Sequence, residues 1–281
     1  MGCADDTDTT VDAFCRFLNP VKIADALQGR VLRAQMNCQN ASEPIDVAIK
    51  ITWSWCWQSS RCTQGAYTSQ CCFKELEALR LLDKSPHPNV IRLFGSFIDE
   101  RGDVNAVLQL ADRNLGQLLD SRGKLEEGIV WDYMRQLISG VAHCHRSGLC
   151  HHDLNAANVL MFDSDRIVKL GDFSKACKRE PGEMQCCSDV DPELVDSFAL
   201  GIIMFQMLFG FIPFKQAHPD DKFYQSISYG DLEQLLSDHQ VDARQVSSQA
   251  ISLLKALLGP VSVRQSPRDL DNSDWFSIVS S

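Results

Sequence analysis

The sequence lacks an excess of basic residues, a Cys-x-x-Cys spacing and any internal repeat. Its 27 Lys and Arg against 37 Asp and Glu give a formal net charge of −10, which argues against a protein that binds nucleic acid along a basic face. The 12 cysteines do not show the spacing typical of a structural zinc site. We therefore expect a cytoplasmic protein in which most cysteines are reduced and pack as small apolar residues.

An uninterrupted apolar run of membrane-spanning length is also missing. The most apolar stretch, Phe198–Phe214, is interrupted by Gln206 and Pro213, and it is shorter than the roughly 20 residues that cross a bilayer. We expect a helix that is buried on all sides inside a helical unit. The acidic residues near the N-terminus argue against a signal peptide.

The composition is that of a globular protein, with 44% hydrophobic and 23% charged residues over 281 positions, enough for about two domains or lobes. The first third reads as short strands and the remainder as helices, with a boundary near Ala111. Leucines at one-turn spacing predict a helix that stops at Pro86. A longer helix is predicted by apolar residues that step by three and four, with Gly148 as its C-terminal cap: Val130, Met134, Leu137, Val141 and Cys144.

Four segments carry polar residues whose order along the chain is informative. They are Val47–Lys50 in a β-branched run, Glu75 on the following helix, His151–Asn158 after the long helix, and Gly171–Ser174 after two short strands. A lysine at a strand end can contact phosphate oxygens. A carboxylate together with an amide oxygen suits Mg²⁺, which prefers hard oxygen ligands.

In this order the four segments resemble four motifs of eukaryotic-type protein kinases: the Val-Ala-Ile-Lys strand, the helix glutamate, the His-Arg-Asp loop and the Asp-Phe-Gly turn. Within that family the sequence resembles a serine/threonine kinase. The stretches Asp196–Gly201 and Gly210–Phe214 resemble the two ends of that family's buried central helix. The resemblance covers roughly residues 20–278.

The resemblance implies an α+β, bilobal fold. An antiparallel β N-lobe would occupy about residues 20–111 and a helical C-lobe about residues 112–281, with residues 1–19 as an N-terminal extension. ATP would bind between the lobes together with Mg²⁺, and the partner would be a protein substrate.

Each motif residue then has an implied role. Asp153 would accept the proton of the substrate hydroxyl, Lys50 would contact the α- and β-phosphates, and Glu75 would hold Lys50 by an ion pair. Asn158 and Asp172 would ligate Mg²⁺. The other implied nucleotide contacts are Val31, Ala48 and Leu160 around the adenine, the backbone of Gln109 to Ala111 as the hinge, and Gly29 in the phosphate loop.

The phosphate loop departs from the family pattern Gly-x-Gly-x-x-Gly. Ala24 and Ala26 stand at the first two glycine positions, and only Gly29 is retained. Two Cβ atoms therefore stand where the backbone must approach phosphate closely, and a positive φ becomes costly there. Asp25 adds a negative charge. We expect weakened nucleotide contacts.

The catalytic and activation segments depart as well. Asn155 replaces the lysine that contacts the transferred phosphoryl group in serine/threonine kinases, which removes part of the charge stabilisation. The family's Ala-Pro-Glu motif ends at Glu193 or, alternatively, at Glu183. Either choice shortens the surface that holds a peptide substrate. If Glu193 is the counterpart, Arg264 is its expected ion-pair partner.

Two functions follow from this mixture of matches and departures. The first is an ATP-dependent protein kinase directed to serine or threonine, because every group that the transfer chemistry needs is retained. The alternative is a pseudokinase that binds nucleotide or acts as a scaffold with little or no transfer.

The first three residues offer a possible lipid anchor. Gly2 and Cys3 could carry two acyl chains, which together anchor a protein where one is marginal. Asp6 stands where the myristoylation motif requires Ser or Thr, so peripheral membrane association stays an open alternative.

Overall fold

The structure is a computed structural model of the chain, and it describes residues 16–26, 29–38, 43–53, 71–178 and 190–271. The chain divides into two compact units, each described here by itself. Unit 1 comprises Met1–Pro86, Ile91–Ala111 and Phe173–Lys175, and unit 2 comprises His87–Val90, Asp112–Asp172 and Ala176–Ser281.

Unit 1 is built on a five-stranded antiparallel sheet. Its strands are β1 (Arg16–Ala26), β2 (Gly29–Asn37), β3 (Ile45–Thr52), β4 (Leu93–Ile98) and β5 (Val104–Gln109). Their order in the sheet is β1-β2-β3-β5-β4. One helix, α1 (Cys71–Asp83), stands between β3 and β4 in the described sequence.

The core of unit 1 lies on one face of the sheet. Val47, Ile49 and Ile51 alternate along β3 and are at most 5% exposed, and the strand period of two brings them to the same face. They pack with three buried residues of the neighbouring strands: Ala34, Met36 and Val107. Lys50 therefore belongs to the opposite face of β3.

The helix predicted from leucine spacing is confirmed as α1. Leu76, Leu79 and Leu82 are each at most 5% exposed, so one apolar face of the helix is buried. The helix ends at Asp83, before Pro86. This burial fixes the orientation of the helix on which Glu75 lies.

Unit 2 is mainly helical. Its helices are α2 (Leu115–Arg122), α3 (Glu127–Arg146), α4 (Pro192–Phe209), α5 (Lys222–Ser228), α6 (Leu232–Asp238), α7 (Ser248–Leu258) and α8 (Pro267–Asp271). Its short strands are β6 (Arg113–Asn114), β7 (Leu149–Cys150), β8 (Val159–Phe162), β9 (Ile167–Leu170) and β10 (Cys177–Lys178). They form two small sheets, β6-β8-β9 and β10-β7.

The long helix predicted from the apolar repeat is confirmed as α3. All five residues of the repeat, Val130, Met134, Leu137, Val141 and Cys144, are 0% exposed. The helix ends at Arg146, and Gly148 has a φ of 74°, the left-handed conformation that glycine adopts without strain after a helix.

Helix α4 contains most of the apolar stretch noted in the sequence. Over its 18 residues the mean hydropathy is 1.4, so by length and composition it is able to cross a membrane. It also has the composition of a core helix, and 56% of it is buried inside the protein. Leu200, Ile203 and Phe205 are at most 1% exposed, in agreement with the expected buried helix.

The fold class expected from the sequence is confirmed: an antiparallel sheet in the N-terminal part and helices in the C-terminal part. Among the described cysteines, Cys38 departs from the reduced state expected of most of them. Cys38, directly after β2, is disulfide-bonded. Cys144 and Cys150 are thiols that are at most 1% exposed, as expected for small apolar residues.

Helix packing in unit 2 predicts that two glycine-to-alanine substitutions affect the free energy of unfolding differently. A Cβ on Gly201 of α4 would lie 2.7 Å from the Cγ of Leu258 on α7, whereas a Cβ on Gly128 of α3 would meet no atom within 4 Å. Alanine improves helix propensity by about 1 kcal/mol over glycine, but overpacking a core costs about 1–3 kcal/mol. We expect Gly201→Ala to lower the free energy of unfolding and Gly128→Ala to leave it unchanged or raise it.

Urea titration of the two variants and the wild type measures this difference. Equal stabilities for the two variants would contradict the close packing of α4 on α7.

Candidate active site

In unit 1 the structure brings Lys50 and Glu75 together. The Nζ of Lys50 donates to both carboxylate oxygens of Glu75, at 2.9 Å to Oε1 and 2.8 Å to Oε2. The two side chains are 17% and 7% exposed, so the pair is largely removed from water. A lysine held by two contacts has a defined position on β3, which is the arrangement expected for a phosphate-binding lysine.

Packing within unit 1 explains why the phosphate loop retains a glycine at position 29. Gly29 begins β2, and a Cβ at this position would lie 1.7 Å from the backbone oxygen of Ile51 on β3. No side chain fits there without moving the strand. The geometry of the sheet therefore requires Gly29, whatever its contact with a nucleotide.

The two substituted glycine positions lie in strand β1, directly after a register shift between Lys22 and Ala24. Ala24 and Ala26 lie in β1 and are the Cα partners of Val31 and Gly29 in β2. Neither has a positive φ. The residues between the two strands, at positions 27 and 28, lie outside the described residues. The described backbone of β1 and β2 is therefore an antiparallel strand pair. Up to Ala26 it contains no turn formed by glycine.

The other nucleotide contacts expected in unit 1 lie on strands β2, β3 and β5 or just after β5. Ala48 on β3 is the Cα partner of Leu108, one residue before Gln109. The N–H of Gln109 donates to the carbonyl of Arg92 at 3.2 Å, so this donor is engaged inside unit 1. Val31 on β2 is half-buried, as is Ala111, the last residue of this part of the unit.

In unit 2 the loop His151–Asn158 is closed by its own hydrogen bonds. The Nδ2 of Asn158 donates to the backbone oxygen of Asp153 at 2.7 Å and lies 3.4 Å from its Oδ2. The structure therefore brings the predicted base and one predicted metal ligand together. Because Nδ2 points at Asp153, the amide oxygen of Asn158 is the atom that suits a metal.

Asn155 has a structural part in the same loop. Its Oδ1 accepts from the N–H groups of Ala157 and Asn158, and its Nδ2 donates to the backbone oxygen of Asp153 at 3.0 Å. It thus caps the 3-10 turn of residues 156–158. The side chain that replaces the family's lysine is bound to the loop's own backbone.

The second predicted metal ligand, Asp172, follows a residue that is tied to this loop. The N–H of Gly171 donates to the backbone oxygen of Asn158 at 2.9 Å, and the carbonyl of Gly171 accepts from His151 Nε2 at 3.0 Å. A Cβ on Gly171 would lie 2.6 Å from Leu160 Cδ1, so a larger residue would require the Leu160 side chain to move. Asp172 itself has a φ of 56°, a strained conformation held by these neighbours.

His151 is neutral and has one defined tautomer. Burial lowers its pKa below the ordinary value, although Asp196 and the Gly171 hydrogen bond oppose this. Nε2 carries the proton that it donates to Gly171, and Nδ1 accepts from the N–H of Asp153 at 3.3 Å. The ring thereby links the loop to the segment that carries Asp172.

A buried carboxylate that the sequence analysis did not assign holds the start of the loop. Asp196 on α4 is 1% exposed and accepts from the backbone N–H groups of His151 and His152 at 2.8 Å each. His145 Nε2 lies 2.8 Å from the same carboxylate. Burial alone would raise the pKa of Asp196, but the hydrogen bonds from the His145 side chain and the His151 backbone N–H help to lower it. The available sequence signal was a carboxylate that lies just before the apolar stretch of this helix.

The expected partner of Glu193 was wrong. Glu193 pairs with Arg268 of α8, which lies 3.0 Å and 2.9 Å from its two oxygens. Arg264 instead donates to the backbone oxygens of Leu194 and Gly259, and its guanidinium lies over the ring of Phe198. Glu193 and Asp196 lie in one continuous helix, so no loop separates them. Glu183 lies outside the described residues.

Comparisons with known proteins agree with this geometry. A family model described as the protein kinase domain matches residues 36–276. The chain is 30% identical over 168 residues to an SNF-related serine/threonine-protein kinase of Rattus norvegicus, which covers 53% of this chain and 22% of that protein. It is 27% identical over 227 residues to a probable serine/threonine-protein kinase MARK-C of Dictyostelium discoideum, which covers 74% of this chain and 28% of that protein.

A third similar protein is the hormonally up-regulated neu tumor-associated kinase of Homo sapiens. It is 32% identical over 199 residues, which cover 64% of this chain and 26% of that protein. The chain thus corresponds to about a quarter of the length of these relatives.

The buried His151 predicts that stability falls in mild acid. Its pKa in the folded state is lowered, so below the ordinary value of about 6.5 the unfolded chain binds the proton first. The contribution to stability is complete above that value and decreases as the pH falls toward the folded pKa. The slope is at most about 1.4 kcal/mol per pH unit. We expect His151→Gln to reduce the loss of stability between about pH 7 and about pH 5.

Urea titrations at both pH values provide the measurement, and His218→Gln, on the exposed loop before α5, is the matched control. His87, whose pKa burial also lowers, leaves a residual pH dependence in every variant. An unchanged pH dependence in His151→Gln would overturn the assignment of a neutral, buried ring.

Proposed function

The chain belongs to the protein kinase domain family, and on this premise we propose that it transfers the γ-phosphoryl group of ATP to a serine or threonine hydroxyl of a protein substrate. The observation that carries the proposal is the closed loop His151–Asn158, in which Asp153 is fixed by Asn158. Similarity to serine/threonine kinases supports the choice of hydroxyl.

Asp153 would accept the proton of the attacking hydroxyl. Its backbone is held by the amides of Asn155 and Asn158, and its N–H by His151. A carboxylate whose main chain is fixed at three points does not have to be ordered when the substrate binds, and such positioning is most of what kinase catalysis requires.

Asn158 and Asp172 have the donor chemistry that Mg²⁺ prefers. One is an amide whose nitrogen is committed to Asp153, and the other is a carboxylate next to a glycine that is bound to Asn158. Both offer hard oxygen atoms. When bound there, Mg²⁺ would neutralise negative charge on the phosphates.

Lys50 would contribute the phosphate contact from unit 1. Its ion pair with Glu75 keeps the ammonium group in one position on β3. Since this pair is formed, the positioning expected of a kinase in its competent arrangement is present in unit 1.

A pseudokinase remains the second candidate, and two observations favour it. Ala24 and Ala26 replace two glycines of the family's phosphate loop, and Asn155 is engaged in capping the loop. Both reduce the stabilisation of the phosphates. The expected consequence is slow turnover if the chain is an active kinase, and none if it is not.

Transfer of labelled γ-phosphate to a generic protein substrate tests the proposal. We expect measurable incorporation by the wild type and a loss of about a hundredfold or more in Asp153→Asn, because general-base assistance is worth about 10²–10⁴ in rate. Asp132→Asn, on the exposed face of α3, is the matched control and should transfer at the wild-type rate.

The phosphate loop separates the two candidates. Restoring both glycines with Ala24→Gly and Ala26→Gly should raise both the ATP affinity and the rate of an active kinase. If this double variant binds ATP more tightly yet incorporates no more label than Asp153→Asn, the pseudokinase is the correct function.

A further inference from the structure

Two cysteines of unit 2 face each other across a short antiparallel strand pair. Cys150 in β7 and Cys177 in β10 are direct Cα partners, and Leu149 with Lys178 forms the next pair. Both cysteines are thiols in this structure. Cys150 is 1% exposed, and Cys177 is half-buried.

The register of this strand pair is compatible with a disulfide bond. Directly opposite residues of an antiparallel pair have Cα atoms about 4.5–5.5 Å apart and side chains on the same face. A disulfide needs a Cα separation of about 4.4–6.8 Å. The register of Cys150 and Cys177 therefore meets the Cα criterion for a disulfide bond.

A histidine lies beside the more accessible of the two thiols. The Sγ of Cys177 is 3.2 Å from Nε2 of His152. His152 has a φ of 62°, and its N–H is fixed by Asp196, so the ring is presented to Cys177 from a rigid loop. A thiol paired with an imidazole can transfer its proton to the ring, and the thiolate is the reactive nucleophile.

The neighbouring buried cysteine provides a contrast. Cys144 on α3 is 0% exposed, and burial raises the pKa of its thiol far above the ordinary value, with the charge of Asp196 acting in the same direction. Its thiolate is therefore strongly disfavoured. Cys177, which is half-buried and lies beside an imidazole, therefore differs from Cys144.

We propose that Cys177 and Cys150 form a redox modification site that hydrogen peroxide converts to an intramolecular disulfide. The thiolate of Cys177 attacks one peroxide oxygen, the O–O bond breaks, and hydroxide leaves and takes the proton held by His152 to form water. Cys177 is then a sulfenic acid.

The second step resolves this intermediate. The sulfur of Cys150 attacks the sulfur of Cys177, the S–O bond breaks, and the hydroxyl leaves as water with the proton of the Cys150 thiol. In sum, two thiols and one hydrogen peroxide give one disulfide and two waters. The two cysteines together lose two electrons, which the peroxide accepts. A thiol reductant reverses the bond.

The bond would join two segments that carry the candidate active site of unit 2. Cys150 directly precedes His151, and Cys177 lies five positions after Asp172 in the sequence. This site is independent of the proposed kinase activity, because its chemistry needs neither ATP nor a protein substrate.

Mass spectrometry of the peroxide-treated full chain tests the proposal. After treatment, remaining thiols are alkylated and the protein is digested without reductant. We expect a crosslinked peptide that contains Cys150 and Cys177, which disappears on reduction and is absent from Cys150→Ala and Cys177→Ala. Cys144→Ala, the matched control, should retain the crosslink.

The rate of Cys177 alkylation tests the role of the His152 imidazole. Alkylation of Cys177 by iodoacetamide should be about tenfold slower in His152→Gln, because the rate follows the thiolate fraction. An unchanged rate would overturn the role of the imidazole.

Two results would overturn the disulfide. One is a 150–177 crosslink no more abundant in the folded protein than in urea-denatured protein oxidised in parallel. The other is conversion of Cys177 to sulfinic acid without any crosslink. Both measurements use the wild-type chain, so they do not depend on whether a variant folds.

Discussion

The candidate active site of unit 2 depends on the buried carboxylate of Asp196. Helix α4 is apolar enough to cross a membrane by composition, yet this charge lies in its first turns and is 1% exposed. The carboxylate binds two consecutive backbone N–H groups, of His151 and His152, and the ring of His145. Removing the Asp196 carboxylate would leave its buried hydrogen-bonding partners unsatisfied, which costs about 1–3 kcal/mol for each group.

The hydrogen bonds of Asp196 also determine the positions of the residues that follow in the loop. It holds His152 at a positive φ and sets the ring of His151, which links Asp153 to Gly171. Asn158 then closes the loop on Asp153 and Gly171. The base and the two expected metal ligands are thereby placed by hydrogen bonds that all lead back to one helix.

Sequence reasoning located the motif residues and the principal elements, and its limits have physical causes. The leucines of α1 and the apolar repeat of α3 follow from periodicity, which is local information. The pairing of Glu193 with Arg268 instead of Arg264 could not be predicted from the sequence. Both arginines lie near the end of the described chain, and only packing decides which of them contacts Glu193. The same holds for the contact of His145 with Asp196, which are far apart in the sequence, and for the disulfide bond of Cys38.

The central claim is that the chain keeps the phosphate-binding and metal-binding side chains of a kinase despite the altered phosphate loop. Thermal unfolding with and without Mg·ATP tests this most directly, because a ligand at 100 times its Kd adds about 2.7 kcal/mol of stability, or about 5 °C or more in Tm. Each variant is compared with its own unliganded Tm, since Lys50→Met also leaves Glu75 without its ion pair. The account predicts a clear shift for the wild type and for Lys84→Met, an exposed control, and a much smaller shift for Lys50→Met. No shift of the wild type at millimolar Mg·ATP, or an equal shift in Lys50→Met, would contradict it.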